Sequence, residues 1–296
     1  MRGETGGCAV ARRNKAVSWC VKCVQLLILA IPVWLHISIL SQSLARSQPQ
    51  PMLMSQVAST ERSPTGNTVP VVAKQVTVRI FATSATGSGA IVGRKGQTYT
   101  VLTCAHIVGE GEENRSTILT ADGRSHVGKQ VRSPLFSNSD LAMVEFTSKQ
   151  AYQVVAIADS QALTVGDVIY AVGFPNWQWT SADTVEDTRT WGIKALRITD
   201  GQVAMLLEKS LQEGYQLGYT NEVDPGMSGG PVLNRKGQLI GINGRLKYPP
   251  QGIGAFTFID GSAPSEQLYQ QMEALSWAIP TATFRQAVKR GVGSRE

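Results

Sequence analysis

The chain has 296 residues, of which 42% are hydrophobic and 17% charged, with 29 Gly and 13 Pro. So few charges exclude a coiled coil, a helical array and a disordered charged tail, and frequent Gly between short apolar runs points to an all-β fold rich in turns. The net charge of +6 does not imply a nucleic-acid partner. Up to Ala45 five basic residues stand against one acidic, which leaves 23 basic and 21 acidic residues beyond it, with no basic stripe interleaved with aromatics.

Residues 24–40 read VQLLILAIPVWLHISIL, an uncharged run preceded by a basic region and followed by Ser43 and Ala45. Positive, then apolar, then small is the order of a secretory signal, either cleaved after Ala45 or retained as a membrane anchor. Positive-inside logic keeps the N-terminus in the cytoplasm and sends the body across, so the protein is expected to be periplasmic, secreted or anchored by 24–40. Cys20 and Cys23 form a lone C-x-x-C without a second pair, which is too little for a metal site. Cys104 is the single cysteine of the body, so no internal disulfide is expected there. Residues 46–70 are rich in Ser, Gln, Pro and Thr and read as a flexible linker.

From there the chain reads as strands. Residues 76–81 alternate apolar and polar, the period of a half-buried strand. Residues 87–92 and 99–103 form the arms of a hairpin about the turn at 93–96. Further short runs, bounded by Gly, Asp, Asn or Pro, lie at 141–146, 154–158, 168–172, 193–198, 203–207, 231–233 and 238–242. Such spacing suggests closed or packed antiparallel sheets. Helical pattern comes late: Leu268, Met272 and Leu275 fall on one face, and 283–290 ends at Gly291. The segment from Phe174 to Trp191 is long for a connection and carries three Trp; it either borders a cleft or caps a barrel end.

Three islands carry chemistry. His106 ends an apolar strand, and His126 is the only other histidine beyond the signal region. Asp140 leads into an apolar run, a place where Asp is also a common turn residue. Ser228 sits in Asp224-Pro-Gly-Met-Ser-Gly-Gly-Pro231, whose glycines allow backbone shapes closed to other residues. Such a loop aims a hydroxyl outward and leaves neighbouring N–H groups unpaired, as a nucleophile beside an oxyanion hole requires, although a plain Gly-rich turn has the same composition. The order is His, Asp, Ser, and the separations of 34 and 88 residues allow His and Asp to lie in one barrel and Ser in a second.

Together these motifs resemble the trypsin-like serine peptidases, most closely the bacterial HtrA-type protease domains. The similar stretches are Gly87-Ser-Gly-Ala-Ile-Val92, Thr103-Cys-Ala-His106, Asp140-Leu-Ala142, Gly226-Met-Ser-Gly-Gly-Pro231, Gly241-Ile-Asn-Gly244 and the closing Trp277-Ala-Ile-Pro280. The resemblance runs over roughly 75 to 290. It implies two packed antiparallel β-barrels of chymotrypsin type, about 71–150 and 151–280, with a C-terminal helix at about 281–291. It also implies a serine endopeptidase with a His106, Asp140, Ser228 triad, protein or peptide substrates and no cofactor or metal. The oxyanion hole is expected in the loop of Gly226, Met227 and Ser228, with the N–H groups of Gly226 and Ser228 as donors. The specificity pocket is expected at Glu222, six positions before the nucleophile, and along Ile242, Asn243 and Gly244. Small aliphatic and basic preferences both remain open, as do an esterase and a catalytically impaired binding module. Cys104 stands where the family has Ala and reads as a small buried residue. Met227 stands where animal trypsins carry the Asp that binds a newly cut N-terminus, so that activation switch is not expected. No segment of PDZ size follows residue 290, so a peptide-sensing module is not expected either.

Overall fold

The computed structural model describes residues 68–83, 85–109, 115–131 and 133–286. The expected signal segment, most of the linker and the end of the expected last helix lie outside the described residues. The strands in chain order are β1 (Thr77–Ala82), β2 (Thr86–Lys95), β3 (Thr98–Thr103), β4 (Arg115–Leu119), β5 (Ser125–Val131), β6 (Ala142–Thr147), β7 (Val168–Gly173), β8 (Trp177–Trp179), β9 (Val185–Asp187), β10 (Arg197–Leu206), β11 (Leu217–Tyr219), β12 (Pro231–Asn234), β13 (Leu239–Arg245) and β14 (Ser276–Pro280). The first six close into a barrel in the order β1-β2-β3-β6-β5-β4, and a second barrel closes as β10-β11-β14-β13-β12-β7. Every strand pair within the two barrels is antiparallel. The all-β, two-barrel architecture expected from the sequence is the one observed. Residues 281–286 are helical and follow β14. Among the described residues, no helix is long and apolar enough to cross a membrane.

Period-two burial builds the barrels. Along β6, Ala142, Val144 and Phe146 are buried while Met143 and Glu145 lie on the other face. The β2–β3 hairpin turns at Gly96 (φ +61°), with a bulge near Ile91. Gly89 lets β2 close on its neighbour, since a Cβ there would lie 2.4 Å from Val101 Cγ1.

Several expected elements differ. Residues 69–76 form helix α1 (Val69–Val76): Pro70 occupies the first turn, and Val72, Ala73 and Val76 are buried, so packing overrides the β preference of Val. The apolar run at 154–158 is no strand. It is the crossing between barrels, in which Val155 is buried: Val155 N–H bonds Ile91 O in barrel one and Ala158 N–H bonds Leu239 O in barrel two, both at 2.9 Å. The run at 193–198 begins as a 3-10 turn, Gly192–Ala195, started by Gly192 at φ +60°. β10 then runs unbroken through Thr199-Asp200-Gly201, a stretch with turn composition, because its partner β7 takes it in register. The late amphipathic pattern is helix α3 (Glu266–Glu273), capped by the Ser265 side chain.

Candidate active site

β3 delivers His106. Its last residue, Thr103, is pinned by an Oγ1 hydrogen bond to Ser88 O (2.7 Å), and the chain then makes a single helical turn, α2 (Ala105–Val108). Asp140 stands just before β6 and is 7% exposed. His106 Nδ1 lies 2.5 Å from Asp140 Oδ2, and the His106 backbone N–H donates to Oδ1 at 2.9 Å. With Nδ1–H donating to the carboxylate, Nε2 carries the free lone pair. Burial works against the His106 imidazolium, but the hydrogen bond and charge of Asp140 outweigh it, so the pKa rises above the usual histidine value. Asp140 is penalised by burial too; the hydrogen bond and charge of His106, with Tyr215, hold it below the usual carboxylate range.

Ser228 comes from the loop between β11 and β12. Gly226 takes φ +99° and Gly229 φ +84°. Met227 N–H is bonded to Asp224 O, Gly229 N–H to Asn243 O and Gly230 N–H to Met227 O. Among the described residues, the N–H groups of Gly226 and Ser228 have no protein acceptor. Met227, expected with them, is corrected: its N–H is spent within the turn and its side chain is fully buried in barrel two. Ser228 Oγ bonds Gly244 O at 3.5 Å rather than His106. His106, Asp140, Ser228 and Gly226 line one cleft of about 600 Å³.

Of the expected specificity residues, Gly244 lines this cleft. Ile242 is buried in the core, and the Asn243 side chain is buried too, its Nδ2 bonded to Val172 O at 3.1 Å. Glu222 is corrected as well: its side chain is 66% exposed, is paired with Lys247 and does not line the cleft. The wall is instead supplied by Pro225, Leu246, Lys247 and Arg245, with Arg245 Nη2 3.1 Å from Glu213 Oε2. None of the three Trp of the 174–191 segment lines it; Trp177 and Trp179 are exposed on the β8–β9 hairpin.

Two residues outside the three chemical islands brace this region. Ser88, in β2, donates from Oγ to Gly226 O, accepts there from Phe174 N–H and donates its N–H to Ser228 O, each at 2.8 Å. Its place between two glycines was the sole cue. Arg79, fully buried in β1, donates to Thr188 O at 2.8 Å and to Pro175 O at 3.3 Å, tying the stem of the Trp segment to barrel one. Burial lowers its pKa to about 10, so the cation persists. Cys104 Sγ, His106 Nδ1 or Nε2 and an Asp140 oxygen fall within 4.8 Å of one another, which is metal-ligand spacing. Cys104 Sγ, however, donates to Asn243 O at 3.0 Å, burial pushes its thiol pKa up, and Asp140 is engaged by His106. The cleft thus brings together a hydroxyl, an imidazole and unpaired amides.

A double β-barrel with this cleft between its halves has the architecture of the chymotrypsin-like peptidases. Residues 87–242 match the family model of the trypsin-like peptidase domain, and the chain belongs to that family. It is 32% identical over 160 residues to "Serine protease HtrA-like" proteins of Staphylococcus aureus, among them those of strains USA300 and MRSA252. The match covers 53% of this chain and 19% of theirs, so the chain spans about a fifth of those relatives. Among solved structures, the serine endoprotease of Yersinia pestis aligns at TM-score 0.50 and 21% identity, over 75% of this chain and 64% of that one. The HtrA-type protease AlgW with a tripeptide aligns at TM-score 0.54 and 19% identity, over 75% and 62%.

Proposed function

We propose that the chain is a serine endopeptidase that works through His106, Asp140 and Ser228. The observation that carries this is the 2.5 Å contact of His106 Nδ1 with Asp140 Oδ2, in a cleft shared with Ser228 and two unpaired N–H groups. Ser228 Oγ attacks the scissile carbonyl carbon while His106 Nε2 takes its proton. Asp140 holds the tautomer and stabilises the imidazolium. The N–H groups of Gly226 and Ser228 receive the oxyanion, each donor contributing about 3 kcal/mol in the transition state. Collapse expels the amine, which takes the proton from His106, and water repeats the sequence on the acyl-enzyme. The substrate is a protein or peptide, no cofactor enters, and the basic-apolar N-terminal region supports export or membrane anchoring.

Ser228 Oγ turns toward Gly244 O, and this favours a second reading, a protease-fold binding module that does not turn over. Fluorophosphonate labelling followed by a peptide-library digest separates the two: labelled Ser228 and cut peptides support the peptidase, and a folded protein that does neither is the binding module. Ester turnover without peptide cleavage would mark an esterase.

Catalysis needs a neutral imidazole, and the His106 pKa is raised. On the acid side, kcat/KM is therefore expected to fall with a midpoint above the ordinary value of about 6.5. A pH profile on a fluorogenic peptide checks this; a midpoint below the ordinary value would contradict the Asp140 contact. Glu222→Gln is expected to change kcat/KM for peptides ending in Arg and in Val equally, by less than about twofold, because an exposed ion pair contributes little. A selective loss on the Arg peptide would return Glu222 to the pocket.

A further inference from the structure

Asp140 receives a donor that the three-residue scheme does not contain. Tyr215 OH donates to Asp140 Oδ2 at 2.5 Å, beside His106 Nδ1 on the same oxygen. Tyr215 belongs to barrel two and is 1% exposed, so its hydroxyl crosses between the barrels to reach Asp140. Its path exists because residue 244 is Gly: a Cβ there would lie 2.1 Å from Tyr215 Oη and 2.5 Å from Cε1. The phenol is held in place. The Arg245 guanidinium lies 4.5 Å from its ring centroid, Arg245 pairs with Glu213, and Glu213 O accepts Asp140 N–H at 2.9 Å. The segment 213–215 thus grips Asp140 by both backbone and side chain. Burial, with the neighbouring Cys104 and Asp140, keeps the phenol protonated far above its usual range, so toward Asp140 it acts as a donor.

We propose that Tyr215 is a positioning residue of the site: it fixes the Asp140 carboxylate for His106 and takes up part of its charge, through the opening left by Gly244. This rests on the His106, Asp140, Ser228 reading. A hydrogen bond to a carboxylate spreads the negative charge that His106 sees, so its loss strengthens the hold of Asp140 on the imidazolium. It also frees the carboxylate to turn, and small misplacements of an orienting group are costly in rate. The titratable and charged groups around Asp140 are His106 and Cys104 from barrel one and Tyr215, Glu213 and Arg245 from barrel two.

The test is Tyr215→Phe, which keeps the ring, measured as fluorophosphonate labelling rate from pH 5 to 9 and as kcat and KM on a peptide. Expected are a kcat lower by about tenfold with KM within about twofold, and an acid midpoint moved up by about half a pH unit. Gly244→Ala, which crowds the hydroxyl away from the other side, should move the midpoint in the same direction. A rate loss uniform across pH, or a wild-type profile in either variant, overturns the proposal. A measurement on the wild type needs neither variant: with histidine and tyrosine labelled, the downfield His106 Nδ1 proton should show a cross-peak to a slowly exchanging Tyr hydroxyl, and its absence would also overturn it. Wild-type protein that fails to label sinks the peptidase reading itself. Wild-type protein that labels, with Tyr215→Phe indistinguishable from it, sinks only the role of Tyr215.

Discussion

Ser228→Ala is expected to cost about a millionfold in peptide cleavage and all fluorophosphonate labelling, while the protein stays folded. Without Oγ no acyl-enzyme forms, and the oxyanion donors and His106 act on water alone. The fold is spared because Oγ makes one long hydrogen bond, 3.5 Å to Gly244 O. The loop is held instead by its backbone: Ser228 O accepts from Ser88 N–H at 2.8 Å, and Gly229 N–H donates to Asn243 O at 2.8 Å. Thermal melting should therefore shift by the equivalent of less than about 1 kcal/mol. Undiminished cleavage by the folded variant would remove Ser228 as nucleophile. Inhibition of the wild type by a chelator but not by a serine reagent would point to metal chemistry instead.

The features legible in the sequence are those whose cause is local. The glycines around Ser228 write their backbone shape into the chain, and β6 announces itself by alternation from Ala142 to Phe146. What escaped depends on neighbours far along the chain. β4 and β5, RSTIL and SHVGKQV, present mostly polar faces and exist because they close barrel one against β1 and β6. Tyr215 meets Asp140 across 75 residues, and nothing near either residue signals the other. Glu222 failed for a different reason. Counting back from Ser228 fixes a position in the chain but not a face: Asn221 and Val223 are buried, and the alternation turns Glu222 to solvent. Asn221 Nδ2 bonds Thr199 O at 2.8 Å, which locks that phase.

Gly229→Ala should damage fold and activity together. Its φ of +84° is one that L side chains avoid, at a cost of about 1–2 kcal/mol. Space is the larger obstacle: an added Cβ would lie 2.2 Å from Ser88 O and 2.2 Å from Thr103 Oγ1. Those two atoms are bonded to each other at 2.7 Å and belong to neighbouring strands of barrel one, so neither can withdraw without breaking the pin on which α2 and His106 stand. A control separates the two costs. Gly96 has φ +61° and nothing within 4 Å of its would-be Cβ, so Gly96→Ala bears the backbone strain alone. Gly96→Ala is expected to lose about 1 kcal/mol in a denaturant melt and to label at the wild-type rate. Gly229→Ala should lose more than about 3 kcal/mol and label at a small fraction of that rate, because the barrels part where Ser228 and His106 must meet. If the two variants melt and label alike, the contact of Gly229 with Ser88 and Thr103 does not set the geometry of the site.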